Sequence, residues 1–295
     1  MKRILVTGGT STVGKHLKEL LPDAIYVSSK DCDLTDIKSV QWLISSYTPD
    51  IIIHLAAKVG GIQDNIAKPA EYFDDNIIMN TNILKVSHEY NVKRFIGILS
   101  TCIYPDKVDL YPMKEEVMFD GPPTPTNFSY GYAKRCLAVQ IDAYNKQYGT
   151  KYNYLIPCNL YSEYDNFDND KKMHFITALL KKIKESKGEI KLMGTGKPLR
   201  QFMYAGDLAR VIKKIIDRNI YENFNIAYPI NYSINELAQK AFGILNKNYY
   251  IKYEHLEMDG QYRKDVDIEK MLNLFPYFKF TSFEEGIKKV YDKIS

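Results

Sequence analysis

What this chain has little of closes several routes to function. Its four cysteines, Cys32, Cys102, Cys136 and Cys158, lie far apart with no Cys-x-x-Cys and no Cys/His metal spacing. Neither a disulfide framework nor a zinc site is expected, and at most one cysteine should carry chemistry. No apolar run approaches the ~18 residues that span a bilayer; the longest, Ile51 to Ala57, is strand-sized and broken by His54. No membrane association is expected. Charge of one sign is also missing: 40 Lys and Arg against 36 Asp and Glu leave +4, interleaved along 295 residues. That excludes a polyanion-binding stripe, and with it nucleic acid as a partner. The opening Met1-Lys2-Arg3-Ile4-Leu5-Val6-Thr7-Gly8 enters a strand-like segment without an apolar leader or small-residue cleavage site, so a cytoplasmic location is expected. Internal repeats, low-complexity tracts and Pro/Ser-rich linkers are absent as well.

What is there is a regular alternation. Short β-branched runs at 3–7, 24–27, 51–55, 94–99 and 152–156 read as buried strands, with amphipathic helices between them near 14–21, 37–46, 70–90 and 129–149. Strands joined through helices of ten or more residues imply right-handed crossovers and a parallel sheet covered on both faces, a doubly wound α/β (Rossmann) fold. After about residue 158 the alternation weakens into a helix near 174–186, a strand near 190–193 and a Gly-rich turn, Gly194-Thr195-Gly196-Lys197-Pro198. The expected division is a dinucleotide-binding domain over 1–157, with 200–228 returning to it, and a smaller C-terminal substrate-binding region over 158–199 and 229–295. A cleft between them is the expected ligand site.

The first strand ends in Gly8-Gly9-Thr10-Ser11-Thr12-Val13-Gly14 and runs straight into a helical segment. Glycines there allow a tight turn, and the free N–H groups of the new helix favour a pyrophosphate. The spacing is Gly8-x-x-Ser11-x-x-Gly14, so a serine and its Cβ stand where a glycine usually lets phosphate oxygens come closest. At the end of the second strand an acid would hold a ribose 2′-hydroxyl and repel a 2′-phosphate. Here Val27 is followed by Ser28, Ser29 and Lys30, which favours NADPH; Asp31 is the residue that would reverse the preference. Asp33, Leu34, Leu55, Ala56 and Ala57 fall where adenine and the second ribose would lie.

Tyr130 and Lys134 stand one helical turn apart at the start of the 129–149 helix. A phenol with its pKa near 10 exchanges protons poorly at neutrality unless a cation stabilises its anion, and Lys134 is placed to do so. Ser100 ends the fourth strand at the carboxyl edge, where ligands bind, and would hydrogen-bond the same carbonyl oxygen. Together they make a hydride-transfer site. A Tyr-x-x-x-Lys spacing alone carries little weight in a chain with 24 tyrosines; the serine at a strand end and the N-terminal turn give it weight.

With those residues in view the chain resembles the extended short-chain dehydrogenase/reductases, and among them the GDP-L-fucose synthase family, including related heptose C4 reductases. The resemblance is carried by Ala56-Ala57-Lys58-Val59-Gly60-Gly61-Ile62, Ser100-Thr101-Cys102-Ile103-Tyr104-Pro105, Pro125-Thr126-Asn127, Asn159-Leu160-Tyr161 with Asp165-Asn166-Phe167, His174 to Leu180, and Gly194 to Phe202. It spans nearly the whole chain in order. It implies an enzyme, a homodimer built through the helices at 70–90 and 129–149, that acts on a GDP-linked 4-keto-6-deoxy sugar. The family epimerises C3 and C5 and reduces C4 with NADPH, for surface polysaccharide. Its acid/base pair falls on Cys102 and His174, with Cys136 and Cys158 left structural. The resemblance also places Lys58, Val59, Ser100, Thr101, Asn159, Lys181 (or Lys182), Met193, Arg200 and Lys264 against the GDP-sugar. Arg200, after a Gly-x-Gly turn, suits bidentate pyrophosphate binding.

Three departures bear on the sugar: Ser11; Met193, where the family commonly carries Trp; and Gln261-Tyr262, in place of a small residue and Pro. A flexible thioether in place of an indole would reshape the pocket and admit a heptose. Three other readings stay open: a dedicated C4 reductase fed by a separate epimerase, an NAD-retaining UDP-sugar 4-epimerase, and a redox-sensing binding protein. The last would have no need of the Tyr130/Lys134 pair.

Overall fold

The computed structural model describes residues 2–167, 173–255 and 259–294. Its strands are β1 (Ile4–Thr7), β2 (Ile25–Val27), β3 (Ile51–His54), β4 (Arg94–Ile98), β5 (Asn153–Pro157), β6 (Asn159–Tyr161), β7 (Glu189–Met193), β8 (Leu199–Arg200), β9 (Phe202–Tyr204), β10 (Phe224–Ile226), β11 (Tyr232–Ser233) and β12 (Tyr250–Glu254). The helices are α1 (Thr12–Leu20), α2 (Ile37–Tyr47), α3 (Ile62–Ala67), α4 (Pro69–Glu89), α5 (Phe128–Tyr148), α6 (Phe175–Glu185), α7 (Ala205–Asp217), α8 (Ile234–Ile244), α9 (Glu269–Leu274) and α10 (Phe283–Lys293).

Six strands form one parallel sheet in the order β10-β5-β4-β3-β1-β2. The sheet is doubly wound, as the alternation predicts. Ile51, Ile52 and Ile53 are buried, as are Leu5, Val6, Phe95, Ile96, Leu155 and Ile156, the continuous apolar run of strands covered on both faces. Helices cover it in two groups, α1 against α7, and α4 against both α2 and α5. Because β2 and β3 flank β1 on opposite sides, the strand order reverses beside β1, the place at the carboxyl ends where doubly wound sheets bind their ligands.

A second core gathers Ile176, Leu179, Leu180 and Ile183 of α6 with Leu237 and Phe242 of α8 and Ile287 and Val290 of α10. The 0, 3, 4, 7 spacing in α6 puts its four residues on one stripe. Between the two cores the chain returns: β9 pairs with β6, α7 packs on α1, and β10 becomes the sheet edge beside β5. No helix among the described residues is long and apolar enough to cross a membrane.

Element boundaries follow local chemistry. The Ser11 hydroxyl accepts from the Gly14 N–H at 3.2 Å and caps α1, so that helix starts at Thr12 rather than at residue 14. Asp36 caps α2, Ser233 and Glu236 close a reciprocal box on α8, and Gly149, at φ 65°, ends α5.

The turn before α1 is as tight as its glycines allow. A Cβ on Gly14 would stand 2.6 Å from the Gly9 carbonyl oxygen, a backbone atom with no room to yield. Gly14→Ala is therefore expected to destabilise the fold by about 1–3 kcal/mol, read as a lowered midpoint in urea unfolding at unchanged slope.

Candidate active site

The first part of the site lies at the switch point. Gly8, at φ 69°, passes so close to the end of β3 that a Cβ would meet the Ala56 nitrogen at 2.8 Å. Gly9 donates to the Val27 carbonyl at 2.8 Å, and a Cβ there would strike Tyr26. The turn is thus pressed between β2 and β3, and the first turn of α1 holds no acid, leaving its N–H groups and dipole to an anion. Thr10 is exposed and Val13 buried. Ser11 departs from the usual glycine for a visible reason: its side chain is the helix cap.

At the end of β2, the Asp31 carboxylate accepts from the Ser28 N–H at 2.8 Å and the Ser28 hydroxyl at 2.7 Å. Those bonds hold its pKa below the usual carboxylate range. Asp31 therefore closes its own turn, and Ser29 and Lys30 are left exposed. Asp33 likewise accepts from Thr35, Leu34 is buried, and Leu55, Ala56 and Ala57 line the end of β3, half-buried.

The second part forms where α5 meets the end of β4. Lys134 is 2% exposed and donates to the Ile98 carbonyl at 2.8 Å. Arg135, the next residue, donates from Nε to the Ile103 carbonyl. The two cations bracket the turn that carries Ser100, Thr101 and Cys102. At Gly131 a Cβ would meet the Cys102 carbonyl oxygen at 2.5 Å, so a glycine is what lets α5 lie against that turn. Tyr130 faces it: burial pushes its phenol well above 10, and a charge on Cys102 pushes it further. The expected offset by Lys134 is not seen in this arrangement. Its ammonium sits 5.9 Å from the Tyr130 ring centre and is spent on Ile98, while burial lowers its own pKa to about 8.

Ser100 caps the short 3-10 turn 101–103, accepting from the Cys102 N–H at 3.3 Å. The Cys102 sulfur receives Lys264 Nζ at 3.2 Å and Asn127 Nδ2 at 3.5 Å. Burial alone would raise this thiol, but Lys264, Ser100 and Arg200 together outweigh it and the net shift is downward. Cys158 is pushed up to about 12 and Cys32 to about 11, and Cys136 also rises, all chiefly by burial. His174 stands exposed at the N-terminus of α6 and makes no capping bond with its side chain. The structure brings Lys264 and Asn127 to the sulfur, not His174.

Several expected substrate contacts are otherwise engaged. The Lys58 ammonium is held at 2.7 Å by both Glu71 and Asp75, an i,i+4 carboxylate pair on α4 whose hydrogen bonds raise its pKa. Thr101 is buried inside its turn. Lys264 points at Cys102 rather than into a phosphate site. Lys181 donates to the Phe167 carbonyl at 3.0 Å, Lys182 to the Lys191 carbonyl at 2.7 Å, and Asn159 to the Gln201 carbonyl at 3.0 Å. Val59 and Met193 are exposed. Arg200 donates to the Leu199 carbonyl at 2.7 Å and lies close enough to Cys102 to act on its charge.

Three residues with no role predicted from sequence organise the site. Asp165 accepts from Thr12 of α1 at 2.9 Å and from Thr177 of α6, tying the phosphate turn to the helix of His174. Gln261 accepts from Thr124 at 3.1 Å and donates to the Pro105 and Asp106 carbonyls at 3.1 and 2.9 Å. Asn127 reaches Cys102. Asn127 and Asp165 fall inside recognisable motifs, but nothing local announces what they bond to.

The sequence signature of the NAD dependent epimerase/dehydratase family matches residues 4–227. A probable GDP-L-fucose synthase of Drosophila melanogaster is 34% identical, over 97% of this chain and 95% of that one. Among solved structures, a GDP-L-fucose synthetase from Naegleria fowleri bound to NADP superposes with a TM-score of 0.89 at 33% identity, covering 99% of this chain and 92% of the other. A GDP-mannoheptose C4 reductase from Campylobacter jejuni with NADP bound gives 0.85 at 25% identity, covering 99% and 98%.

The buried Lys134 should be a liability to stability. Its pKa falls from 10.5 to about 8, so between those values the unfolded chain binds the extra proton and wild-type stability rises with pH. Lys134→Met is expected to gain up to about 3 kcal/mol at pH 7. That gain should fade as pH climbs from 8 toward 10.5, as measured by urea unfolding of both proteins across that range.

Proposed function

This chain belongs to the NAD dependent epimerase/dehydratase family and to its GDP-L-fucose synthase branch, and from that membership we propose that it reduces the C4 ketone of a GDP-linked 4-keto-6-deoxy sugar with NADPH, in nucleotide-sugar biosynthesis for surface polysaccharide. One observation carries the reading: α5 presses Tyr130 and Lys134 onto the strand end that holds Ser100 and Cys102. The turn pressed between β2 and β3 fits a dinucleotide, with Gly8 to Val13 and the α1 N-terminus on the pyrophosphate and Ser28 to Lys30, Asp33, Leu34 and Leu55 to Ala57 around the adenosine. NADPH supplies the hydride when bound.

The rest is the work of the chain's own groups. The Tyr130 phenol, held protonated by burial, gives its proton to the C4 oxygen as negative charge develops there. Ser100 donates a hydrogen bond to the same oxygen, and Lys134 compensates the resulting phenolate by turning from the Ile98 carbonyl that it holds in this arrangement. Protons at C3 and C5 are α to the same ketone, so the donors that polarise C4 also stabilise an enolate. Cys102 takes such a proton from one face and His174 returns one from the other. Arg200, with residues of 158–199 and 229–295, holds the GDP-sugar. The packed pair α4 and α5 exposes Phe73, Ile78, Val139 and Tyr148 and is the proposed homodimer face.

A dedicated C4 reductase is the second reading. It is favoured by the exposed His174, which no contact aims at Cys102, and by the likeness to a heptose C4 reductase. The exposed Met193 favours a sugar larger than a hexose.

The deciding experiment incubates the enzyme with NADPH and GDP-4-keto-6-deoxy-mannose in deuterated water, with the product read by NMR and mass spectrometry. Deuterium at C3 and C5 of a reduced product supports the bifunctional enzyme; reduction without it supports the reductase; no NADPH turnover with any 4-keto sugar overturns both. Tyr130→Phe is expected to lower the reduction rate by about two to four orders of magnitude while NADPH affinity stays within a few-fold. Cys102→Ala should remove deuterium incorporation and spare reduction of a pre-epimerised ketone.

A further inference from the structure

Lys264 is 8% exposed, and a buried ammonium without a counter-charge is costly. Its own segment, 259–267, offers three carboxylates, and all are taken, Asp267 by the Glu269 N–H at 2.7 Å. Asp265 is gripped by Arg263 at 2.6 and 2.9 Å, and Asp259 accepts the Thr195 N–H and hydroxyl, each at 2.6 Å. Among the described residues the only hydrogen-bond partner of Lys264 is the Cys102 sulfur, 3.2 Å away and 162 positions earlier in the chain.

The placement is fixed from both sides. Before Lys264, Gln261 bonds Thr124, Pro105 and Asp106, and Leu199 bridges to Arg263. After it, Val266 and Gln201 exchange two hydrogen bonds and Met113 bridges to Val266. The substrate region is stapled so that one lysine arrives at one sulfur.

We propose that Lys264 is a positioning residue whose ammonium holds Cys102 as the thiolate, forming a buried ion pair that keeps the sulfur ready to accept a proton. This rests on the reading of Cys102 as the proton acceptor. In the accepting step the thiolate takes a proton from the carbon and becomes a thiol, the carbon's electron pair passes to the ketone oxygen, and Lys264 keeps its own proton. The groups facing the sulfur are Lys264, Arg200, Tyr130, Ser100 and Asn127. Of these only the two cations are charged at neutrality, so both favour the anion.

The test needs neither NADPH nor sugar, and so stands apart from the reductase reading. The wild-type enzyme, Lys264→Met and Lys264→Arg are treated with iodoacetamide from pH 5.5 to 9.5, and each cysteine's modification is followed by peptide mass spectrometry. In the wild type, Cys102 should react at pH 6 while Cys32, Cys136 and Cys158 are spared. Lys264→Met should slow Cys102 at pH 6 by about tenfold or more, as an upward shift of one unit requires, and Lys264→Arg should restore most of it. Superimposable profiles for the wild type and Lys264→Met overturn the proposal. Absorbance at 240 nm gives a check independent of the lysine variants: the wild-type minus Cys102→Ser difference should show thiolate at pH 7, and its absence also overturns the proposal. A shifted profile in an enzyme that leaves C3 and C5 unexchanged would uphold the ion pair and remove only its epimerising role.

Discussion

The candidate active site depends on a lysine kept out of water. Lys134 gives one hydrogen bond to the Ile98 carbonyl at the end of β4, and its neighbour Arg135 gives one to Ile103, five residues further along. Between those anchors lies the turn of Ser100, Thr101 and Cys102. An irregular strand end with exposed carbonyls would otherwise have several accessible conformations; two consecutive helical cations select one. Gly131 completes the fit, since a Cβ there would strike the Cys102 carbonyl oxygen. Tyr130 is aimed as a result, without a hydrogen bond of its own to its catalytic partners. Desolvation of Lys134 is the cost of this arrangement.

Electrostatics at this turn is divided between helices and the return of the chain. Lys134 and Tyr130 come from α5, whereas the cations that act on Cys102 are Arg200, at the end of β8, and Lys264, far later in the chain. The Tyr130 phenol and the Cys102 thiol are thereby tuned by different parts of the fold. Negative charge on Cys102 raises the Tyr130 phenol, so on the proposed mechanism a thiolate there would help to hold the phenolic proton.

Much of this was legible in the sequence because it is local. The strands β1 to β5 announce themselves by runs such as Ile51-Ile52-Ile53, and α5 by its periodicity and the glycine that ends it. Tyr130 and Lys134 share a helix face by spacing alone, and the glycines of the phosphate turn follow a strand. What spacing could not give is which distant group claims a side chain. Lys58 reads as a substrate contact until Glu71 and Asp75 are seen to arrive from α4, and Lys264 reads as a GDP-sugar contact until its sulfur partner is seen. Asp165 is one acid among many until Thr12 and Thr177 meet on it. Short elements were hidden for a related reason: β6 and β9 are three residues each and exist because they pair with one another, so neither carries a pattern of its own.

The return of the chain to its first sheet has a consequence for how such a protein can be divided or inherited. β10 comes from residues 224–226, yet it forms the edge beside β5, and α7, from the same stretch, covers α1. A fragment ending after β5 would carry every glycine of the phosphate turn and the Tyr130/Lys134 pair, but would leave β5 as a bare, apolar edge open to pairing with another chain. The nucleotide half is therefore no detachable cassette. Recombination that exchanges substrate-recognising segments among relatives has to respect two breakpoints on each insertion rather than one. The β6-to-β8 stretch pairs strand by strand with β9, β12 and β11 and so has to keep those partners, whereas α7 and β10 must travel with the sheet they close.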